Sequence, residues 1–199
     1  KIILLGPNHE DRGSLGALTT DSGWETPFGV VQADSKAIFS LGDRGLVRVD
    51  NESLVAEQSV TALVAFIKYY LPEAQIVPIV LKSGFALEEA EILGEVLAEL
   101  WDETSVLLAS VDFSHYLTNF EAQRKDEVTL RAISDRNLPE LFDLNSDYLD
   151  SPQAIGTLLV AVGLLGANEM EVLYHSNSGE LSGNDFVPTT SYFVLTFRR

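Results

Sequence analysis

Short, almost wholly apolar runs recur along the chain, each closed by turn residues: Ile2–Leu5, Gln75–Leu81, Ser105–Val111, Met170–Tyr174 and Ser191–Phe197. Runs that are apolar at nearly every position suit strands covered on both faces, whereas a half-exposed sheet shows strict alternation. Between them lie stretches with helical periodicity, Ser35–Leu41, Glu57–Leu71, Ala86–Trp101, Glu121–Ser134 and Pro152–Leu165. The clearest is Ala86–Trp101: Leu87, Ala90, Leu93, Leu97 and Leu100 share one face, while Glu88, Glu91, Glu95 and Glu99 point the other way. Pro152 suits a first helical turn, with Asp150 or Ser151 as the N-cap. Strands alternating with helices predict an α/β fold, with a central mixed, largely parallel sheet flanked by helices. No repeat, low-complexity tract or linker interrupts the pattern, so residues 1–199 read as a single domain.

Composition narrows the function. The 199 residues carry 13 Lys and Arg against 30 Asp and Glu, a formal net charge of −17. A phosphate-backbone binder needs clustered basic residues, so neither nucleic acid nor an anionic membrane is an expected partner. There is no cysteine. Disulfides, thiolate zinc sites, iron–sulfur clusters and cysteine nucleophiles are therefore excluded together. The longest apolar run, Ala154–Ala167, falls short of the ~18 residues that suggest a membrane span. Lys1 leads straight into an apparent strand without an initiator Met, so the expectation is a natural N-terminus further upstream, its targeting information out of view. A cytoplasmic location is the working expectation.

The three histidines are the leading chemical clue. His9, His115 and His175 each follow one of the apolar runs. Open α/β sheets bind ligands outside the carboxyl ends of their strands, so these imidazoles could converge on one crevice. Asp112-Phe113-Ser114-His115 sets a carboxylate three residues before an imidazole, a spacing that lets Asp112 orient the ring and raise its basicity. The plainer alternative is that Asp112 caps the next segment and His115 faces water. Glu57-Gln58-Ser59 opens a helix, where polar residues commonly cap exposed N–H groups. Trp24–Gly29 is a turn-rich aromatic segment suited to a pocket wall or to packing a loop on the core. The polar loop Asn177–Asn184 has neither phosphate-loop spacing nor a lysine, so it does not support nucleoside triphosphate binding.

Taken in order, Gly6-Pro7-Asn8-His9, Thr19-Thr20, Trp24–Gly29, Glu57-Gln58-Ser59-Val60, Ser110–Tyr116, Ser178-Gly179 and Ser191-Tyr192 resemble the MEMO family, also called the AmmeMemoRadiSam system protein B family. The resemblance spans essentially the whole chain. It implies a fold similar to that of class III extradiol ring-cleaving dioxygenases, which use non-haem iron. It also implies a metal pocket in which His9 is a ligand, with Asp112 and His115 as pocket residues. Asp150 stands where many members carry a metal-binding cysteine. Aspartate is a harder ligand, which favours iron, manganese or zinc over copper. Two positions depart from the family pattern. Its Glu-His-Ser reads Glu57-Gln58-Ser59 here, exchanging an imidazole for an amide. Its Pro-His-Ala-Gly segment, carrying a further metal histidine, would precede Lys1, so an N-terminal strand and the first metal motif are expected to be missing.

The resulting expectation is a divalent metal cofactor, iron foremost, held by His9 and Asp150 in an incomplete site. His115, Asp112 and Gln58 are the candidate catalytic residues of a non-haem iron-dependent oxidoreductase acting on a small molecule. The alternative is a non-catalytic binding or scaffold protein with a degenerate site and a protein partner, which Gln58 favours because fold does not fix function. A hydrolase working through metal-bound water would use the same ligands.

Overall fold

The computed structural model describes residues 1–184 and 187–199. The first half of the chain runs β1 (Ile2–Pro7), β2 (Ala17–Thr19), β3 (Trp24–Thr26), β4 (Gly29–Ala33), α1 (Ser35–Asp43), β5 (Arg48–Val49), α2 (Asn51–Val55), α3 (Gln58–Tyr70) and β6 (Gln75–Leu81). It continues with α4 (Leu87–Leu100), β7 (Val106–Ala109), β8 (His115–Leu117), α5 (Asn119–Ser134), α6 (Leu138–Phe142), α7 (Pro152–Leu164), β9 (Glu169–Asn177), α8 (Ser178–Ser182) and β10 (Thr189–Arg198).

β1 lies at the centre, parallel to β6 on one side and to β7 on the other, with Leu5 opposite Ile79 and Ala109. The main sheet has the order β3-β4-β6-β1-β7, with β2 antiparallel to β6 and β5 added to β2. All six residues of β1 are buried, as the unbroken apolar run predicts. Alternation along the strand divides them between two layers. Ile3 and Leu5 meet α1, α4 and α7 through Ile38, Leu41, Leu93, Leu97 and Leu158, while Ile2 and Leu4 meet Leu54, Val60 and Val64 on the other face. This is the predicted α/β architecture, a mostly parallel sheet flanked by helices.

A second sheet departs from the prediction. The runs Met170–Tyr174 and Ser191–Phe197 belong to β9 and β10, which pair antiparallel with each other and form a separate three-stranded sheet, β8-β10-β9. Their apolar residues are not covered on both faces; Leu173 and Tyr174 are each 50% exposed. A third apolar cluster, built on Phe113, Ile133, Leu141, Leu149, Ile155 and Leu159, joins this sheet to α5, α6 and α7. No helix among the described residues is long and apolar enough to cross a membrane.

A candidate metal and proton-transfer pocket

β1 and β7 run parallel as neighbours, so the residues that follow them leave the main sheet at the same edge. His9 stands two residues beyond β1 and Asp112 three beyond β7. Asp150 is brought in by a short bridge between Phe113 and Leu149, and its backbone N–H donates to the Asp112 carbonyl at 3.0 Å. Ser151 then caps α7 through the Ala154 N–H. Three sequence-predicted site residues therefore meet at the carboxyl end of the sheet, where open α/β sheets place their ligands.

The turn after β1 is fixed by its own side chains. The Asn8 side chain accepts from the Arg12 N–H at 3.1 Å and donates to the Arg12 carbonyl at 2.9 Å. Asp11, with φ 48°, accepts from the Ser83 N–H and hydroxyl, and these bonds hold its carboxyl below the usual carboxylate range. Gln153 of α7 donates to the Ser83 carbonyl at 2.7 Å. Three chain segments are thereby tied together around His9. Gly6 is required on steric grounds. A Cβ at this position would lie 2.5 Å from the Ser59 hydroxyl oxygen, so only glycine lets β1 approach the start of α3 this closely.

Glu57 does more than its sequence position suggests. It caps α3, as that position predicts, with Oε1 accepting from the Ser59 N–H at 3.1 Å. The same carboxylate also takes two hydrogen-bonding groups of His9: the backbone N–H at 3.1 Å and ring Nδ1 at 2.6 Å. A carboxylate only accepts, so Nδ1 carries the proton and Nε2 is turned the other way. Nε2 faces Asp150 Oδ2 at 3.4 Å, within ion-pair range but long for a hydrogen bond. Asp150 and then Glu57 push the His9 pKa up to about 10, against the opposing effect of partial burial. Burial pushes the Glu57 carboxyl up, but its bonds to His9 and Ser59 outweigh it and leave the group below its ordinary value.

Asp150 Oδ1 is buried and has no hydrogen-bond partner among the described residues. Asp112 lies close enough to be influenced by Asp150, His115 and His9; burial and the Asp150 charge raise its pKa against the pull of the two imidazoles. One imidazole is thus surrounded by three carboxyl groups, in a pocket with one unsatisfied buried oxygen. Beside it opens a cavity of about 180 Å³, lined by Asn8, His9, Arg12, Ser53, Glu57 and Gln58. Gln58 is the first residue of α3 and exposed on the cavity wall.

The other two histidines need correction. His115 sits at the start of β8, and its Nδ1 is held at 2.8 Å by the Phe113 carbonyl, not by Asp112. A carbonyl oxygen accepts only, so Nδ1 carries the proton of that bond and Nε2 is the nitrogen the carbonyl does not engage. The next residue, Tyr116, has φ 62° and sets its ring edge-on to His115 at 4.9 Å. His175 does not follow its strand but lies inside β9, where its ring stacks on Phe193 and bonds Asp126. It belongs to the second sheet and takes no part in the His9 pocket. Among the described residues, no cluster of three or more His, Asp or Glu side chains has metal-binding geometry.

A layered α/β protein with a histidine–carboxylate pocket at the carboxyl edge of its sheet is the class that fold and site define. The family profile described as Memo-like protein matches residues 1–192, and the chain belongs to that family. It is 32% identical over 206 aligned residues to a MEMO1 family protein of Methanopyrus kandleri, covering all of this chain and 72% of the relative. It is 31% identical to a MEMO1 family protein of Aquifex aeolicus, with 99% and 75% covered. Among solved structures it is similar to an uncharacterized protein of Escherichia coli K12, with a TM-score of 0.59 and 17% identity, covering 96% of this chain and 84% of the other. At that identity the likeness concerns the fold.

Proposed function

We propose that the pocket is part of a divalent-metal site, with His9 Nε2 and Asp150 as ligands, Glu57 as the group that orients His9, and His115 as the proton-handling residue for a small-molecule substrate. The observation that carries this reading is Asp150: one oxygen faces His9 Nε2, and the other is buried without a partner among the described residues. A buried carboxylate oxygen left unsatisfied is costly, and a cation between it and the imidazole would relieve that cost. The Glu57–His9 bond supports the same reading, because metal-bound histidines commonly donate their other ring N–H to a carboxylate. The donor set is one imidazole and one carboxylate, which suits iron, manganese or zinc. Two protein ligands make a partial site, so affinity from this pair alone is weak.

When bound, such a metal supplies Lewis-acid or redox chemistry to a coordinated ligand. The chain's own residues do the rest. Glu57 keeps the proton on His9 Nδ1, Asp112 lends negative potential to the pocket floor, and Gln58 offers one acceptor and two donors to orient a ligand in the cavity. His115, with Nδ1 anchored, moves a proton at Nε2. The oxidoreductase activity implied by the family resemblance fits these roles. The competing reading, a non-catalytic binding protein, draws on Gln58 and on the absence of a three-ligand cluster among the described residues.

Calorimetric titration with Mn²⁺ or Zn²⁺, and with Fe²⁺ under anaerobic conditions, tests the proposal. Saturable binding that releases a proton and is lost in both His9→Gln and Asp150→Asn is expected. Binding indifferent to both substitutions, or none at millimolar metal, would remove the metal site and leave the binding-protein reading.

A further inference from the structure

Asp126 is nearly inaccessible, with 1% of its surface exposed, and it lies in α5 away from the His9 pocket. Burying a carboxylate costs several kcal/mol unless it is well compensated, so its partners are informative. Oδ1 accepts from the Ser114 hydroxyl at 2.7 Å, and Oδ2 meets His175 Nε2 at 2.8 Å. Ser114 Oγ also contacts the Ser191 hydroxyl oxygen at 3.0 Å, while the Ser191 N–H donates to the Ser114 carbonyl at 2.7 Å. A second route runs in parallel. The His175 ring stacks face to face on Phe193, centroids 4.0 Å apart, and Phe193 packs against Phe113 at 4.6 Å.

Both routes end on the residues that hold His115. The Phe113 carbonyl anchors His115 Nδ1, and Ser114 is the link between them. We infer that Asp126 and His175 are positioning residues: through Ser114 and Phe113 they fix the backbone of the 112–115 segment and thereby the tautomer and orientation of His115. The inference rests on the proposed role of His115 in proton transfer. It explains why a costly buried carboxylate is kept beneath this segment and why a histidine of the second sheet pairs with it. Removing Asp126 or His175 would leave His9 and Glu57 untouched, since those two are anchored by β1 and α3.

Because the chain has only three histidines, ring ¹⁵N–¹H correlation spectra of the whole protein report each separately. In the native protein, neutral His115 is expected as a single Nδ1–H tautomer. In Ser114→Ala, which deletes one buried oxygen, and in His175→Ala, it becomes a mixture of tautomers while the His9 signals stay in place. His175→Gln keeps an N–H donor where Nε2 stood and restores the native His115 signals. Unchanged His115 signals in Ser114→Ala and His175→Ala would overturn the inference, as would equal movement of every histidine ring that remains, which marks general loosening. Adding Mn²⁺ to the same samples reads the metal proposal independently. Broadening strongest at His9 with His115 indifferent to Ser114→Ala keeps the pocket and removes the coupling; no saturable broadening of His9 with His115 responsive to Ser114→Ala removes the metal site and keeps the coupling.

Discussion

Replacing Glu57 with glutamine is the most revealing single perturbation of the pocket. Glu57 is 7% exposed and accepts from the His9 N–H, His9 Nδ1 and the Ser59 N–H. Glutamine retains one acceptor oxygen and brings an NH₂ group that must face one of those donors. Oε1 serves both the Ser59 N–H and His9 Nδ1, so an amide oxygen kept there holds the α3 cap and the ring bond, while the NH₂ meets the His9 backbone N–H and the negative charge beside the ring is lost. A hydrogen bond to a charged acceptor contributes about 1.5–3 kcal/mol, which is what the His9 backbone N–H loses, and the charge lost beside the roughly half-exposed His9 ring adds little. With one donor left facing another, the expected destabilisation is about 2–3 kcal/mol, or a Tm lower by roughly 4–12 °C for a domain of this size. Urea denaturation at neutral pH measures it. The pH dependence supplies a sign. The His9 pKa is raised from 6.5 to about 10, so the stability from its pairing is fully present below 6.5 and is lost as pH rises through about 10. In Glu57→Gln the His9 pKa falls, and this loss begins at lower pH. A change under about 0.5 kcal/mol with His9 titrating as before would refute the assigned role of Glu57.

Asp112→Asn should stabilise the protein at neutral pH, because the raised pKa of Asp112 means its charged form is disfavoured by folding. The gain should fade as pH falls and the native carboxyl protonates, which thermal melts across pH would follow. Gly6→Ala should cost on the order of 1–3 kcal/mol by driving a methyl group into Ser59, seen as a lower denaturation midpoint with an unchanged slope. In metal-reconstituted protein assayed on catechols and related aromatic diols, His115→Ala should abolish turnover, whereas Gln58→His should preserve or raise it. Turnover unchanged in His115→Ala would remove the acid–base assignment.

The main sheet and its helices are legible in the sequence because their signals are local. Buried strands such as β1 and β6 are apolar throughout, and α4 carries an unmistakable amphipathic period. What the sequence conceals depends on partners distant along the chain. β9 and β10 look like buried strands by composition, yet they form an exposed antiparallel pair, because apolar content alone does not reveal how many faces are covered. The short strands β2 and β5 have too few residues to show a period. At the site, His9 and Asp112 are readable from their places after β1 and β7, and Asp150 from family resemblance. Glu57 reads as a cap, which it is, but nothing local shows that its oxygens also hold a histidine 48 residues away. Asp126 lies on the inner face of a strongly polar helix, where sequence gives no sign that it is buried; its meaning emerges only when β9 brings His175 alongside. His175 shares with His9 a place after an apolar run, but its strand belongs to the other sheet, and that difference has no local signal.

His9 Nε2 and Asp150 face each other at 3.4 Å, and everything proposed for the pocket depends on a cation binding to that pair. Mn²⁺ titration followed by the ring signals of the three histidines tests it most directly. Saturable broadening that is strongest at His9 is expected, accompanied by proton release and abolished by Asp150→Asn. Broadening that spares His9, or that survives Asp150→Asn undiminished, would contradict it.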